Sequence, residues 1–127
     1  MISLLEQLLE KEDIFKPFTF EEWVGRMISS GVWTKNIDGT YSAEGDVNLS
    51  NKGLTKLPIR FKEVGGHFYC DHNQLTTLEG APQKVGGFFD CSYNKLITLK
   101  GIGIVKGIIY CSNNPVPEKE LLKTIGR

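Results

Sequence analysis

The sequence predicts an α+β fold organised as a short solenoid. Parallel strands should line a concave face, extended or turn segments should return behind them, and caps should close both ends. Three observations carry this expectation. A strand-and-turn unit recurs, with Cys70, Cys91 and Cys111 spaced 21 and 20 residues apart and Asn73, Asn94 and Asn114 keeping the same intervals. The first third of the 127-residue chain shows helix and hairpin signals in place of the repeat. After Pro117 the chain reads as a short closing helix.

The elements follow in order. Leu4, Leu5, Leu8 and Leu9 fall at helical spacing opposite Glu6, Gln7 and Glu10, so an amphipathic helix is expected over residues 3–11. Thr19 followed by Glu22 has the form of a capping box opening a second helix, FEEWVGRMISS, with Gly31 at its end. Residues 32–37 and 40–43 flank Asp38-Gly39, the pair expected in a two-residue hairpin turn leading into the first repeat. Residues 1–44 are thus assigned to an N-terminal helical and β-hairpin cap, 45–116 to about four repeat units, and 117–127 to a capping helix. The whole is expected to be one cooperative fold. The N-terminal cap is larger than capping alone requires.

The units align as GDVNLSNKGLTKLPIRFKE (45–63), VGGHFYCDHNQLTTLEGAPQK (64–84), VGGFFDCSYNKLITLKGIGI (85–104) and VKGIIYCSNNPVP (105–117). Two apolar positions separated by one residue make a short strand with one buried face. An Asn then turns the chain, its carboxamide bonding backbone groups that the bend leaves unpaired. Two leucines, Leu75/Leu78 or Leu96/Leu99, re-enter the core. One such turn cannot bury itself, so neighbours must stack. GAP at 80–82 and the Gly-Gly pairs 65–66 and 86–87 are expected to serve turns on the return side.

This pattern is the core of a leucine-rich repeat. The phrases CDHNQLTTLEGAP, VGGFFDCSYNKL and GLTKLP resemble the short repeats of bacteriophage leucine-rich-repeat proteins and, more distantly, those of secreted bacterial effectors. The resemblance covers residues 45–117 and implies protein–protein recognition without naming a partner; the expectation is another protein, one of a bacterial host if the chain is phage-encoded. Lys52 replaces the Asn in the first unit, and Val116 and Lys119 replace the two leucines of the last, as terminal repeats often do. Likeness to repeat-bearing bacterial ubiquitin ligases stops at the repeats, because 127 residues leave no room for their separate catalytic domain.

Composition narrows the function classes. Fifteen basic and fifteen acidic side chains cancel, which gives no support to broad binding of nucleic acid or an anionic membrane. MISLLEQLLEKEDIF lacks the basic n-region and cleavage pattern of a signal peptide, and no stretch approaches a membrane span. Three cysteines, an odd number, fit a reducing compartment. The expectation is a cytoplasmic protein, in the host cytoplasm if phage-encoded, with no cofactor.

The segment HFYCDH (67–72) invites a catalytic or zinc reading. The register argues against both. Cys70 shares its inward slot with Leu49, Cys91 and Cys111, whereas His67 and Asp71 point outward and His72 lies at the turn. A nucleophilic thiol needs exposure and a base on its own side, and zinc needs convergent ligands. Neither an enzyme nor a metal site is expected. The outward residues instead form columns: Asp46, His67, Phe88, Ile108; Asn48, Tyr69, Asp90, Tyr110; and Ser50, Asp71, Ser92, Ser112; with His72, Tyr93 and Asn113 just past the strands. His67, Tyr69, Asp71, His72, Phe88, Asp90, Tyr93, Ile108 and Tyr110 are the candidate binding residues, an aromatic group that the core does not need. Covering of this face by the N-terminal cap and cross-strand stiffening by Phe88 are the competing roles, and nucleic-acid binding or a purely structural virion protein are the alternative functions.

Overall fold

The computed structural model describes residues 19–117 and 119–120. The helix expected over 3–11 and most of the closing helix lie outside the described residues. The chain divides into two compact units, Met1–Gly31 and Val32–Arg127. In the first unit, helix α1 (Phe20–Ser29) starts where the Thr/Glu pair places it. Thr19 Oγ1 accepts the Glu22 amide at 3.1 Å, and its hydroxyl donates to Glu22 Oε1 at 3.1 Å. Glu21 and Glu22 sit at the positive end of the helix dipole and Arg26 in the last turn. The Ser30 and Gly31 amides close the helix on Arg26 O and Ile28 O.

The second unit is a β-solenoid. Its strands are β1 (Trp33–Lys35), β2 (Tyr41–Ala43), β3 (Val47–Asn48), β4 (Phe61–Val64), β5 (Phe68–Tyr69), β6 (Lys84–Val85), β7 (Phe89–Asp90), β8 (Ile104–Val105) and β9 (Ile109–Tyr110). They form two sheets, ordered β1-β2-β4-β6-β8 and β3-β5-β7-β9. Every pairing is parallel except the β1–β2 hairpin.

The sequence reading allotted one strand to each unit and a turn to each Gly-Gly pair, and here the structure differs. The segment before each glycine pair is itself a strand, with Val64, Val85 and Val105 in register in the first sheet. Val64 and Val85 are fully buried, which is what pulls this segment onto the core. The hairpin also differs. Its β2 pairs in parallel with β4 and so is the first-sheet strand of the opening coil. Its loop has three residues, Ile37 to Gly39, because the Asn36 amide still bonds Thr40 O at 2.8 Å. Gly39 takes the left-handed conformation (φ 88°) that a three-residue loop needs at this point. Asp38 Oδ1 accepts both the Thr40 hydroxyl and the Thr40 amide, and these bonds hold its carboxyl below the ordinary 3.8.

The core lies between the sheets and the leucine turns. Phe68, Cys70, Leu75 and Leu78 of one coil stack on Phe89, Cys91, Leu96 and Leu99 of the next, all buried. The Phe68 and Phe89 rings are 5.2 Å apart. Trp33 and Phe61 meet edge to face at 5.1 Å and fill the opening coil. Burying each such side chain contributes roughly 1.5–3 kcal/mol.

Polar groups set the spacing between coils. Asn94 Nδ2 donates to Cys91 O and Ser92 O in its own coil and to Cys70 O in the previous one, while its Oδ1 accepts the Leu75 amide. Asn73 and Asn114 repeat the arrangement. Each carboxamide therefore reaches backwards along the solenoid. The first unit has no earlier leucine turn to reach, which is why Lys52 is accommodated there.

The glycine corners let the coils approach. A Cβ on Gly86 would stand 2.4 Å from Gly65 O, and one on Gly65 2.2 Å from Glu44 O. Gly45, which opens the neighbouring column continued by Gly66 and Gly87, has nothing within 4 Å of such a Cβ. Gly86→Ala is therefore expected to lower stability in urea unfolding by about 2–4 kcal/mol through the forced backbone shift. Gly45→Ala should stay within about 1 kcal/mol of wild type. Equal effects of the two substitutions would contradict the stacking of the corners.

Candidate binding face

Of the residues proposed from the sequence, Tyr69, Asp90 and Tyr110 lie on strands of the second sheet and the others just before or after them, and ring contacts bring most of them into two groups. The first is aromatic. His67 stacks on Phe88, with ring centroids 3.9 Å apart and planes 19° from parallel. Tyr69 and Tyr110 each stand perpendicular to Phe88, at 5.2 and 5.3 Å. Phe88 thus sits at the centre, with Tyr110 43% exposed and Ile108, its neighbour in the column, 62% exposed. The second group lies at the carboxyl ends of the strands. His72 and Tyr93 stack at 4.4 Å, and His72 Nδ1 lies 2.7 Å from Asp71 Oδ2.

Backbone hydrogen bonding fixes several of these side chains. Asp46 Oδ1 accepts the His67 amide at 2.7 Å, and His67 Nδ1 in turn accepts the Phe88 amide at 2.9 Å. An accepting Nδ1 places the imidazole hydrogen on Nε2. Asp46 was not among the sequence candidates, yet it starts this chain of contacts. In the next column Asn48 Oδ1 accepts the Ser50 amide and Asp90 Oδ1 accepts the Ser92 amide, the same local turn made by an amide and by a carboxylate.

One further property escaped the sequence reading. His72 and Tyr93 adopt left-handed backbone conformations, φ 54° and 55°. The equivalent Asn51 and Asn113 do the same at 54° and 57°, and asparagine tolerates this region far better than an aromatic. The recurrence of Asn at both ends of the column was the available signal. Holding a His and a Tyr there costs on the order of 1 kcal/mol each. The stack they form is what that conformation presents to solvent.

Charge on this face has one sign. Its outward positions hold Asp46, Asp71 and Asp90 and no Lys or Arg. Lys62 and Lys84 belong to the first sheet, and Arg60 and Lys84 face Glu79 and Glu63 in exposed pairs at 3.8 and 4.0 Å. Such pairs add little stability. A shallow hollow of about 490 Å³ at the hairpin, lined by Lys35, Asn36, Ile37, Asp38 and Lys62, has no convergent set of reactive groups.

The cysteines occupy the inward slots. Burial pushes the Cys70 thiol far up and the Cys91 thiol to about 12, with each other's proximity adding to it for Cys70. Cys111 is partly exposed and its thiol is raised less. All three are free. Among the described residues no group of three or more His, Cys, Asp or Glu side chains could hold a metal ion. No helix among them is long and apolar enough to cross a membrane.

Two measurements check this geometry. A thiol reagent at mildly alkaline pH should modify Cys111 in the folded protein and reach Cys70 and Cys91 only on unfolding; early modification of either would contradict their burial. Asp71 supplies the second. Burial pushes its carboxyl up, but the Ser50 hydroxyl, the His72 ring and its own backbone amide outweigh this and hold it below 3.8. Its contribution to stability is therefore complete above the unfolded value of 3.8 and is lost as pH falls through the lower folded value. Asp71→Asn should flatten that part of the acid limb; an unchanged profile would remove Asp71 from it.

No family model, curated protein or solved structure matches this chain.

Proposed function

We propose that the chain is a leucine-rich-repeat binding module, a bacteriophage factor that occupies or inhibits a host protein in the bacterial cytoplasm through the outward face of its second sheet. The repeat pattern and its resemblance to phage leucine-rich-repeat proteins support the family and the setting. One observation supports the face: Phe88 and the His67, Tyr69 and Tyr110 rings around it form a continuous aromatic surface on the side of the sheet away from the core. Rigid aromatic groups of this kind supply contact area at low entropic cost and dominate protein-binding hot spots.

The module works by binding and not by catalysis. Two of its three cysteines, Cys70 and Cys91, are buried in the core and held protonated, and Cys111 has no base beside it among the described residues. Free thiols also fit the reducing cytoplasm. A nucleic-acid role needs basic groups interleaved with the aromatics, and here carboxylates occupy those positions.

The test is capture of bacterial proteins on the immobilised chain, with and without nuclease, against Tyr69→Ala/Phe88→Ala. The double substitution removes ring area from the outward side and leaves the inward Phe68, Phe89 and leucine columns untouched. Circular dichroism should therefore stay native while a nuclease-resistant partner is lost. Retention of every partner by the folded double variant contradicts the proposal, and so does loss of all partners on nuclease treatment.

A further inference from the structure

We propose that the chain forms a two-fold dimer in which β9 of one copy pairs antiparallel with β9 of a second, continuing the second sheet across the junction. The inference stands apart from the host partner proposed above and starts from the backbone of the last coil.

Every earlier coil gives alternate amides of its second-sheet segment to carbonyls of the coil after it. Val47, Leu49 and Asn51 donate to His67 O, Tyr69 O and Asp71 O, and Phe68, Cys70 and His72 donate to Phe88 O, Asp90 O and Ser92 O. Phe89, Cys91 and Tyr93 donate in turn to Ile108 O, Tyr110 O and Ser112 O. The equivalent amides of the last coil belong to Ile109, Cys111 and Asn113. They lie on the edge of the sheet and have no acceptor among the described residues. The carbonyls tell the same story. Cys70 O and Cys91 O each accept two asparagine carboxamides, one from their own coil and one from the next, whereas Cys111 O accepts only that of Asn114.

An open strand edge is a template for another strand, and natural edges are usually guarded by charge. This one is not. Residues 107–117 contain no charged side chain. The outward column of the first sheet changes from Glu63 and Lys84 to Ile104, which is 63% exposed. In the core slots Ile109 and Cys111 are half-buried, where Phe68, Phe89, Cys70 and Cys91 are buried. The edge therefore offers backbone donors, a backbone acceptor and apolar side chains together.

A second copy supplies the complement of each. With the two Tyr110 residues opposite one another, Ile109 of either copy faces Cys111 of the other. Such a pair exchanges N–H···O=C bonds in both directions, so the Ile109 and Cys111 amides of both copies find acceptors. The same register brings Ile109 and Cys111 of the two copies together on the core side. On the outward side it sets the two Tyr110 Cα atoms about 4.5 Å apart, close enough for their rings to pair. No charge meets its like across the strands. Asn113, in the left-handed turn beyond β9 (φ 57°), stays outside the pairing.

The experiment is sedimentation of the full chain under reducing conditions from micromolar to millimolar concentration, with amide hydrogen exchange at both ends of the range. A reversible monomer–dimer equilibrium should appear. The Ile109 and Cys111 amides should exchange at least about tenfold more slowly at the high concentration, with Asn113 fast and Phe89 and Cys91 slow throughout. Cys111→Pro removes an amide that nothing in its own chain accepts, so it should raise the dimer dissociation constant at least about tenfold. A monomer at millimolar concentration, a dimer whose Ile109 and Cys111 amides exchange as in the monomer, or a dimer unaffected by Cys111→Pro each overturns the proposal. The exchange measurement needs no substitution and decides the matter if the proline variant unfolds. Tyr69→Ala/Phe88→Ala leaves the β9 edge in place and should still dimerise, so failure of the binding face and failure of the dimer are read separately.

Discussion

A buried asparagine carboxamide ties each coil to the one before it, and the rest of the solenoid depends on that tie. Asn73 and Asn94 are nearly inaccessible, and each spends its donor on carbonyls of two successive coils and its acceptor on an amide of the earlier one. Buried backbone groups left unpaired cost about 1–3 kcal/mol apiece, so a coil that slipped in register would forfeit several such bonds at once. The glycine corners follow from the same constraint. Once the carboxamide has drawn two coils to strand spacing, there is no room at the bend for a Cβ.

Close stacking also explains why the outward face can be built from residues of poor local propensity. Tyr93 and His72 sit in a backbone region that favours asparagine, and Phe88 projects from a strand whose core contact is made by its neighbour Phe89. The coil is held by the carboxamides, the corners and the leucine turns, and these over-determine the backbone where the aromatics emerge. Stability resides on one side of each strand, which leaves the other side free for the recognition proposed above. That separation is the physical basis for reading the face as a binding surface.

Much of this was legible in the sequence, because a repeat makes each position testable against its equivalents. The inward cysteines were readable from Leu49 in the same slot, and the outward columns from strict alternation along the strand. The Asn turn was readable from its side-chain chemistry. The first sheet was not. Its later strands, β6 and β8, are two residues long, and β6 runs straight into Gly86-Gly87, which looks like a turn. Only Val64, Val85 and Val105 recurring before them signalled a buried strand. The hairpin loop gained a residue because Asn36 and Thr40 still pair beyond it, which Asp38-Gly39 alone does not reveal. The left-handed His72 and Tyr93 were hidden by their side chains, since aromatics are not the residues that conformation usually recruits. The chain of contacts from Asp46 through His67 to Phe88 depends on side-chain acceptors meeting amides one coil away, which no local pattern encodes.

Nuclear Overhauser spectroscopy of the full chain tests the central claim, that stacked coils assemble one aromatic face above an asparagine ladder. The Phe88 ring should give cross-peaks to His67 and Tyr69 of the coil before it and to Tyr110 of the coil after it, and the Asn73 and Asn94 side-chain amides should exchange slowly with solvent. Absence of those cross-coil peaks, with fast-exchanging asparagine amides, would contradict the stacked arrangement and the face built on it.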